Sequence, residues 1–234
     1  MKNGMKAGIV VFPGSNCDRD CYRALKAVTG VEARFVWHRE SSLEDFDLII
    51  LPGGFSFGDY LRTGAIARFS PVMNEVIRLG KRGVRLLGIC NGFQILAEAG
   101  LLPGALLRNQ GLLFICKDIY MKVERSNTDF TNKYEQGQVL RMPVIHGEGN
   151  YTIDEAGYHE LVDGEQVIFR YCASDGSVNP SDAPNGAMGN IAGIINREGN
   201  ILGLMPHPEK VSEPIMGGED GAGVFRSLLS VLSV

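Results

Sequence analysis

Apolar residues in the first hundred positions fall into short unbroken runs separated by stretches of helical period. Ala7 to Phe12 (AGIVVF), Ala33 to Trp37, Asp47 to Leu51 (DLIIL) and Val84 to Ile89 (VRLLGI) are strand-length. Runs of this kind, with little alternation, belong to strands buried on both faces of a parallel sheet. Pro13-Gly14 stops the first run, and Asn16 is placed to cap a helix reaching about Val28. Pro52-Gly53-Gly54 breaks the third. Pro71 stands at the first position of a helix extending to about Lys81, where the missing N–H costs nothing. The fourth run leads at once into a helix from Gly92 to Ala99. Alternation of this kind predicts an α/β fold, with a parallel sheet covered by helices on both sides.

Beyond Gly100 the pattern changes to shorter, alternating segments. Leu112 to Glu124, Val139 to Ile145 and Val167 to Cys172 read as extended. Ile191 to Asn196 and Ile201 to Met205 flank Arg197-Glu198-Gly199-Asn200, a hairpin signal. Residues 125–137 are polar and read as loop, and Gly221 to Leu232 closes the chain with an amphipathic helix. No repeat, low-complexity tract or linker divides the chain, so residues 1–234 are expected to form a single domain.

Composition narrows the function. Hydrophobic residues make up 44% and charged residues 21%, enough for a real core. The net charge of −4 disfavours a nucleic-acid or anionic-membrane surface. Met1 to Lys6 is too short for a secretory signal, and the apolar runs are far below membrane-spanning length. A cytoplasmic location is expected. The five cysteines, at 17, 21, 90, 116 and 172, are odd in number and scattered. Cys17 and Cys21 share a helical face but have no second ligand pair nearby, so neither a disulfide framework nor a metal site is expected.

The most informative segment is Gly88-Ile89-Cys90-Asn91-Gly92. Small residues stand two before and two after a cysteine at a strand-to-helix junction, which is the nucleophile-elbow arrangement. The helix starting there presents free N–H groups and its positive dipole end, both of which stabilise a thiolate. Met205-Pro206-His207-Pro208-Glu209 offers a base. In an extended segment, Glu209 would face the same way as His207 and could hold one imidazole nitrogen while the other meets the thiol. His38 and His159 read as solvated. His146, in His146-Gly147-Glu148-Gly149, is the rival base that spacing leaves open. Acyl chemistry also needs oxyanion donors. The N–H of Asn91 and the Gly53-Gly54 pair at the carboxyl edge of the sheet are the candidates. Gln94, one turn along the elbow helix, points toward the same mouth.

Together GICNGFQ (Gly88 to Gln94) and His207-Pro208-Glu209 resemble the triad-type, or class I, glutamine amidotransferases. Phe12 to Asp18 (FPGSNCD), Pro52 to Arg62 (PGGFSFGDYLR), His146 to Gly149 and Met205 to Glu209 look like one branch of them. That branch is the glutaminase subunits of phosphoribosylformylglycinamidine synthase, in purine biosynthesis, and the likeness covers nearly the whole chain. It implies a flavodoxin-like open, mostly parallel sheet with antiparallel strands added in the C-terminal half. It implies that Cys90 forms a γ-glutamyl thioester from L-glutamine with His207 and Glu209. The oxyanion would be held by the Gly54 and Asn91 N–H groups, and the substrate by Gln94 and Tyr171. Phe57 stands where tyrosine is familiar, and Phe93 replaces a histidine common in other branches. Neither touches the triad.

The resemblance further implies that the ammonia passes to a separate synthetase subunit, with a small bridging subunit. ATP and Mg would sit on the synthetase, with no cofactor on this chain. The chain has no GxxxxGK[ST] loop. Asp59 to Arg62 and the HGEG segment have no part in the triad and are expected on the partner-facing side. Elbow cysteines of protease and chaperone type usually carry histidine directly after the cysteine, where this chain has Asn91. A γ-glutamyl peptide hydrolase shares more of the site but works without a partner. A degenerate, binding-only subunit would lack a triad member, and none is missing.

Overall fold

The computed structural model describes residues 5–43 and 46–232. The reading of Met1 to Lys6 therefore rests mostly on positions outside the described residues. Strands β1 (Ala7–Val11), β2 (Ala33–Trp37), β3 (Leu48–Leu51) and β4 (Arg85–Ile89) alternate with helices α1 (Asp18–Thr29), α2 (Pro71–Lys81) and α3 (Asn91–Glu98), the last following β4 directly. Then come β5 (Ala105–Leu107), β6 (Ile115–Val123), β7 (Val139–His146), β8 (Asn150–Thr152) and α4 (Glu155–Asp163). Strands β9 (Val167–Cys172), β10 (Ile191–Ile195) and β11 (Ile201–Leu204) and helix α5 (Ala222–Leu232) complete the chain.

Nine strands make one sheet in the order β2-β1-β3-β4-β11-β10-β9-β6-β7. The first five pair in parallel, and the remaining pairings are antiparallel. β3 and β4 are buried almost throughout, as their unbroken apolar runs require. α1 packs with α5, and α3 lies against β3, β4 and β11.

One feature of the topology positions everything that follows. β11, from the far end of the chain, lies parallel to β4, with Leu204 opposite Ile89. The loops leaving these two strands therefore emerge side by side at one carboxyl edge. The Cys90 N–H donates to the Leu204 carbonyl at 2.8 Å, extending that register to the elbow.

The N-cap of α1 is Cys17, not Asn16, and no side chain caps it; Asn16 Oδ1 accepts from the Cys17 thiol at 3.2 Å instead. The segment from Leu112 becomes a strand only at Ile115, because Leu112 sits at φ +55 in a turn closed on the Asn109 carbonyl. β5 and β8, three residues each, pair with one another in a small second sheet and are too short for a periodicity signal. His38 is buried, not solvated. It lies among Phe12, Trp37 and Phe57 with Nδ1 3.2 Å from Ser70 Oγ.

Candidate active site

Cys90 has φ +51 and ψ −105, a conformation that non-glycine residues rarely adopt. Its neighbours show how the turn is forced. A Cβ on Gly92 would lie 1.9 Å from the Leu51 carbonyl oxygen, and one on Gly88 would lie 2.8 Å from the Gly92 backbone. Only glycine fits either position, so α3 starts tight against β3 and the Cys90 side chain is left at the strand end. Its thiol reaches the Ile145 carbonyl on β7 at 3.6 Å.

His207 lies 1% exposed and Glu209 is fully buried. Imidazole Nδ1 and Glu209 Oε1 are 2.6 Å apart. The sequence predicts an extended strip for this pair, but the backbone is different. Pro208 to Lys210 form a 3-10 turn, with the Lys210 N–H donating to the His207 carbonyl at 3.2 Å. Proline at the first position of that turn suits it, and the turn delivers the same side-chain pairing. The His207 N–H donates to Pro143 on β7 at 2.9 Å, which anchors the loop.

Burial acts to lower the His207 pKa. The Glu209 carboxylate, with Cys90 and the nearby Cys17 thiol, outweighs it and holds the imidazole well above its ordinary range. His207 Nε2 is buried and has no hydrogen-bond partner among the described residues. Cys17 Sγ, the His207 ring and the Glu209 carboxylate lie within 4.8 Å of one another, the one close group of metal-ligand type among the described residues. A Cβ on Gly53 would stand only 2.8 Å from His207 Cε1, so only glycine fits against the ring here.

A cavity of about 140 Å³ opens beside Cys90. Gly54, Asp59, Thr63, Gln94, His146 and Glu148 are among its lining residues. A chain of amides ties its walls together: the Ser56 N–H donates to Asn91 Oδ1 at 3.2 Å, Asn91 Nδ2 donates to Gln94 Oε1 at 2.9 Å, and Gln94 Nε2 donates to the Glu148 carbonyl. Gln94 thus joins the PGGFS and HGEG loops to the elbow helix. Asn91 is buried at the first position of α3, and Gly54, at φ +150, pairs with Ser15 across a backbone bridge.

Tyr171 is fully buried on β9 and is not among the residues lining the cavity. Its hydroxyl accepts from Asn185 Nδ2 at 3.2 Å, and Asn185 also donates to the Gly149 carbonyl at 2.7 Å. Burial pushes the Tyr171 pKa upward. The geometry therefore brings Cys90, His207, Glu209, Gly54, Asn91 and Gln94 together and sets Tyr171 behind the HGEG loop.

His146, the rival base, faces a different network. It is 3% exposed, and its Nδ1 lies 3.1 Å from Asn109 Oδ1. No carboxylate orients it. Burial, and secondarily the charge of His207, lowers its pKa to about 4. Asp59, Thr63 and Glu148 carry no chemistry legible in the sequence, although Asp59 and Glu148 stand in the PGGFSFGDYLR and HGEG strings and Thr63 directly follows the first.

What this elbow, buried imidazole–carboxylate pair and cavity on a mixed α/β sheet define is a glutamine amidotransferase domain. The family described as a CobB/CobQ-like glutamine amidotransferase domain matches residues 4–218. Among curated relatives, the phosphoribosylformylglycinamidine synthase subunit PurQ of Moorella thermoacetica is 56% identical over 225 residues, covering 96% of this chain and 95% of its own. That of Salinibacter ruber is 53% identical over 227 residues, covering 97% of each. The structure of PurLQS from Thermotoga maritima contains a chain that superposes with a TM-score of 0.87 at 45% identity, over 98% of this chain and all of that one. A glutamine amidotransferase from Thermotoga maritima, 17% identical with a TM-score of 0.62 over 99% of both chains, shares the fold. The chain belongs to this amidotransferase family and, within it, to the PurQ-type subunits of phosphoribosylformylglycinamidine synthase.

Proposed function

We propose that residues 1–234 act as one glutaminase domain that hydrolyses L-glutamine to L-glutamate and ammonia. The ammonia supplies the synthetase subunit that converts phosphoribosylformylglycinamide to phosphoribosylformylglycinamidine. The observation that carries the reading is the buried His207–Glu209 pair set beside an elbow cysteine at the head of a small cavity.

In the first half-reaction Cys90 Sγ attacks the carboxamide carbon and His207 takes the thiol proton. A carboxylate at 2.6 Å from Nδ1 stabilises the imidazolium that results. The N–H groups of Gly54 and Asn91 take the oxyanion. The intermediate collapses as His207 returns its proton to the departing nitrogen, which leaves as ammonia and a γ-glutamyl thioester on Cys90. Water then attacks the thioester with His207 as base, and the thiol and glutamate are released. Gln94 shapes the substrate wall, and Tyr171 supports it from behind through Asn185.

ATP and Mg belong on the partner synthetase in this reading, and a small bridging subunit completes the assembly in the cytoplasm. The Asp59 to Arg62 segment suits the partner side, since Tyr60 and Leu61 are 74% and 90% exposed. Arg62 is committed to Glu98, with Nη2 at 2.7 Å. An Arg62 variant with unaltered complex formation and coupling would remove that residue from the interface.

The test is glutamate release by wild type and Cys90→Ala, each with and without the cognate synthetase. Release that depends on Cys90 and rises with the partner is the expected result. Unchanged release from the variant removes Cys90 as nucleophile. No release from wild type under any condition removes the glutaminase reading.

A further inference from the structure

The cavity beside Cys90 is unusual in what it lacks. Its lining includes two carboxylates, Asp59 and Glu148, and a histidine, but no lysine or arginine. Glu148 is already occupied. It accepts from Thr63 Oγ1 at 3.0 Å and from the Thr63 N–H at 3.4 Å, and Arg108 approaches it from outside at 3.7 Å. Asp59 is not: its Oδ1 is closed off from solvent and has no hydrogen-bond partner. A buried carboxylate oxygen without a donor is costly, more so beside a second carboxylate. Burial first, then Glu148, pushes the Asp59 pKa up to about 6.

A second unpaired acceptor lines the same cavity. Asn109 Nδ2 donates to the Leu113 carbonyl at 2.8 Å and to the His146 carbonyl at 2.9 Å, so Asn109 Oδ1 is the acceptor facing His146 Nδ1. That places the imidazole hydrogen on Nδ1 and leaves Nε2 a bare acceptor, on a side chain 3% exposed and without a partner. Acceptors without donors call for a ligand rich in N–H. The backbone agrees: Phe57, Asp59 and Leu61 all have positive φ, at 54°, 54° and 72°. Strain of this kind persists where a side chain must be aimed.

We infer that Asp59 is the anionic contact for the α-ammonium group of the substrate, so that this cavity selects an amino acid over a simple amide. The inference rests on the glutaminase reading for the identity of the substrate. Its test rests on binding and not on turnover, so the two can fail separately. Glutaramate is glutamine without the α-amino group. Titration calorimetry in the Cys90→Ala background, alone and with the synthetase, compares L-glutamine with glutaramate.

A charge-assisted contact is worth about 10- to 100-fold in affinity, and glutamine is expected to bind tighter than glutaramate by that factor. Adding Asp59→Asn is expected to abolish the preference, weakening glutamine while leaving glutaramate within threefold. Asparagine tolerates positive φ as well as aspartate does, so the loop keeps its path. A preference that survives Asp59→Asn overturns the inference, as does an equal loss for both ligands, which marks a structural role. Should that variant misfold, a preference below threefold in the Cys90→Ala protein alone overturns it, and one of 10-fold or more supports it.

Discussion

Replacing Gly53 with alanine would press a methyl group against Cε1 of the His207 imidazole. The added Cβ would lie 2.8 Å from Cε1, 3.4 Å from Nδ1 and 3.2 Å from Cys17 Sγ. Carbon atoms rest at about 3.5 Å or more, so the ring must retreat by about 0.7 Å. It has little room, being buried and tied to Glu209 at 2.6 Å. A misplacement of about 1 Å at a reacting group costs on the order of 100-fold in rate, so kcat is expected to fall by about 10- to 100-fold. KM is expected to change little, because Gly53 is not among the residues lining the cavity. Overpacking of this kind costs about 1–3 kcal/mol of stability, a melting shift of about 2–12 °C for a chain of this size. Steady-state glutamate release, paired with thermal unfolding, measures both quantities. Gly111→Ala is the control, since a Cβ there meets nothing within 4 Å. A Gly53→Ala enzyme with kcat within twofold of wild type, or a defect confined to KM, would refute the placement of His207 as the working base.

Two further outcomes follow from charge. Glu209→Gln keeps the shape but removes the carboxylate that raises the His207 pKa; kcat is expected to fall by about 100-fold or more, and the His207 limb of the pH–rate profile to move to lower pH. An unmoved limb would mean that the carboxylate does not set the imidazole's protonation. His146 has its folded pKa depressed from 6.5 to about 4, so its contribution to stability is present above pH 6.5 and is lost as the pH falls toward 4. The gap of about 2.5 units corresponds to about 3 kcal/mol. Urea unfolding at pH 7.5 and 4.5 should show wild type losing about that much more than His146→Asn, and an equal loss in both would show that His146 is not held neutral by the fold.

Much of the architecture was legible along the chain because its signals are local. The apolar runs of β1, β3 and β4 are visible without any partner, and Pro71 marks the start of α2 to the residue. Asn16 failed as a cap because the chain turns one residue later, where backbone bonds to the Gly53 carbonyl hold Asn16 and Cys17. That carbonyl belongs to the loop after β3, the strand paired with β1, beyond the reach of any local rule. His38 was misjudged for a related reason. A polar side chain next to a strand or in a polar string looks solvated until a distant segment covers it.

The residue types and spacings alone determined the elbow at Cys90, the coupling of His207 to Glu209 and the α/β class, since each rests on sterics or hydrogen bonding within a few residues. The tertiary structure decided which histidine meets the cysteine. β11 lies beside β4 and so carries His207 to the mouth of the elbow, whereas His146 arrives on β7 and is held by Asn109. It also decided that Asp59 lines the cavity beside Cys90 and that Cys17 and Gly53 lie against the His207 imidazole. Strand order and burial are set by the free energy of the whole core, and no window of sequence contains that sum.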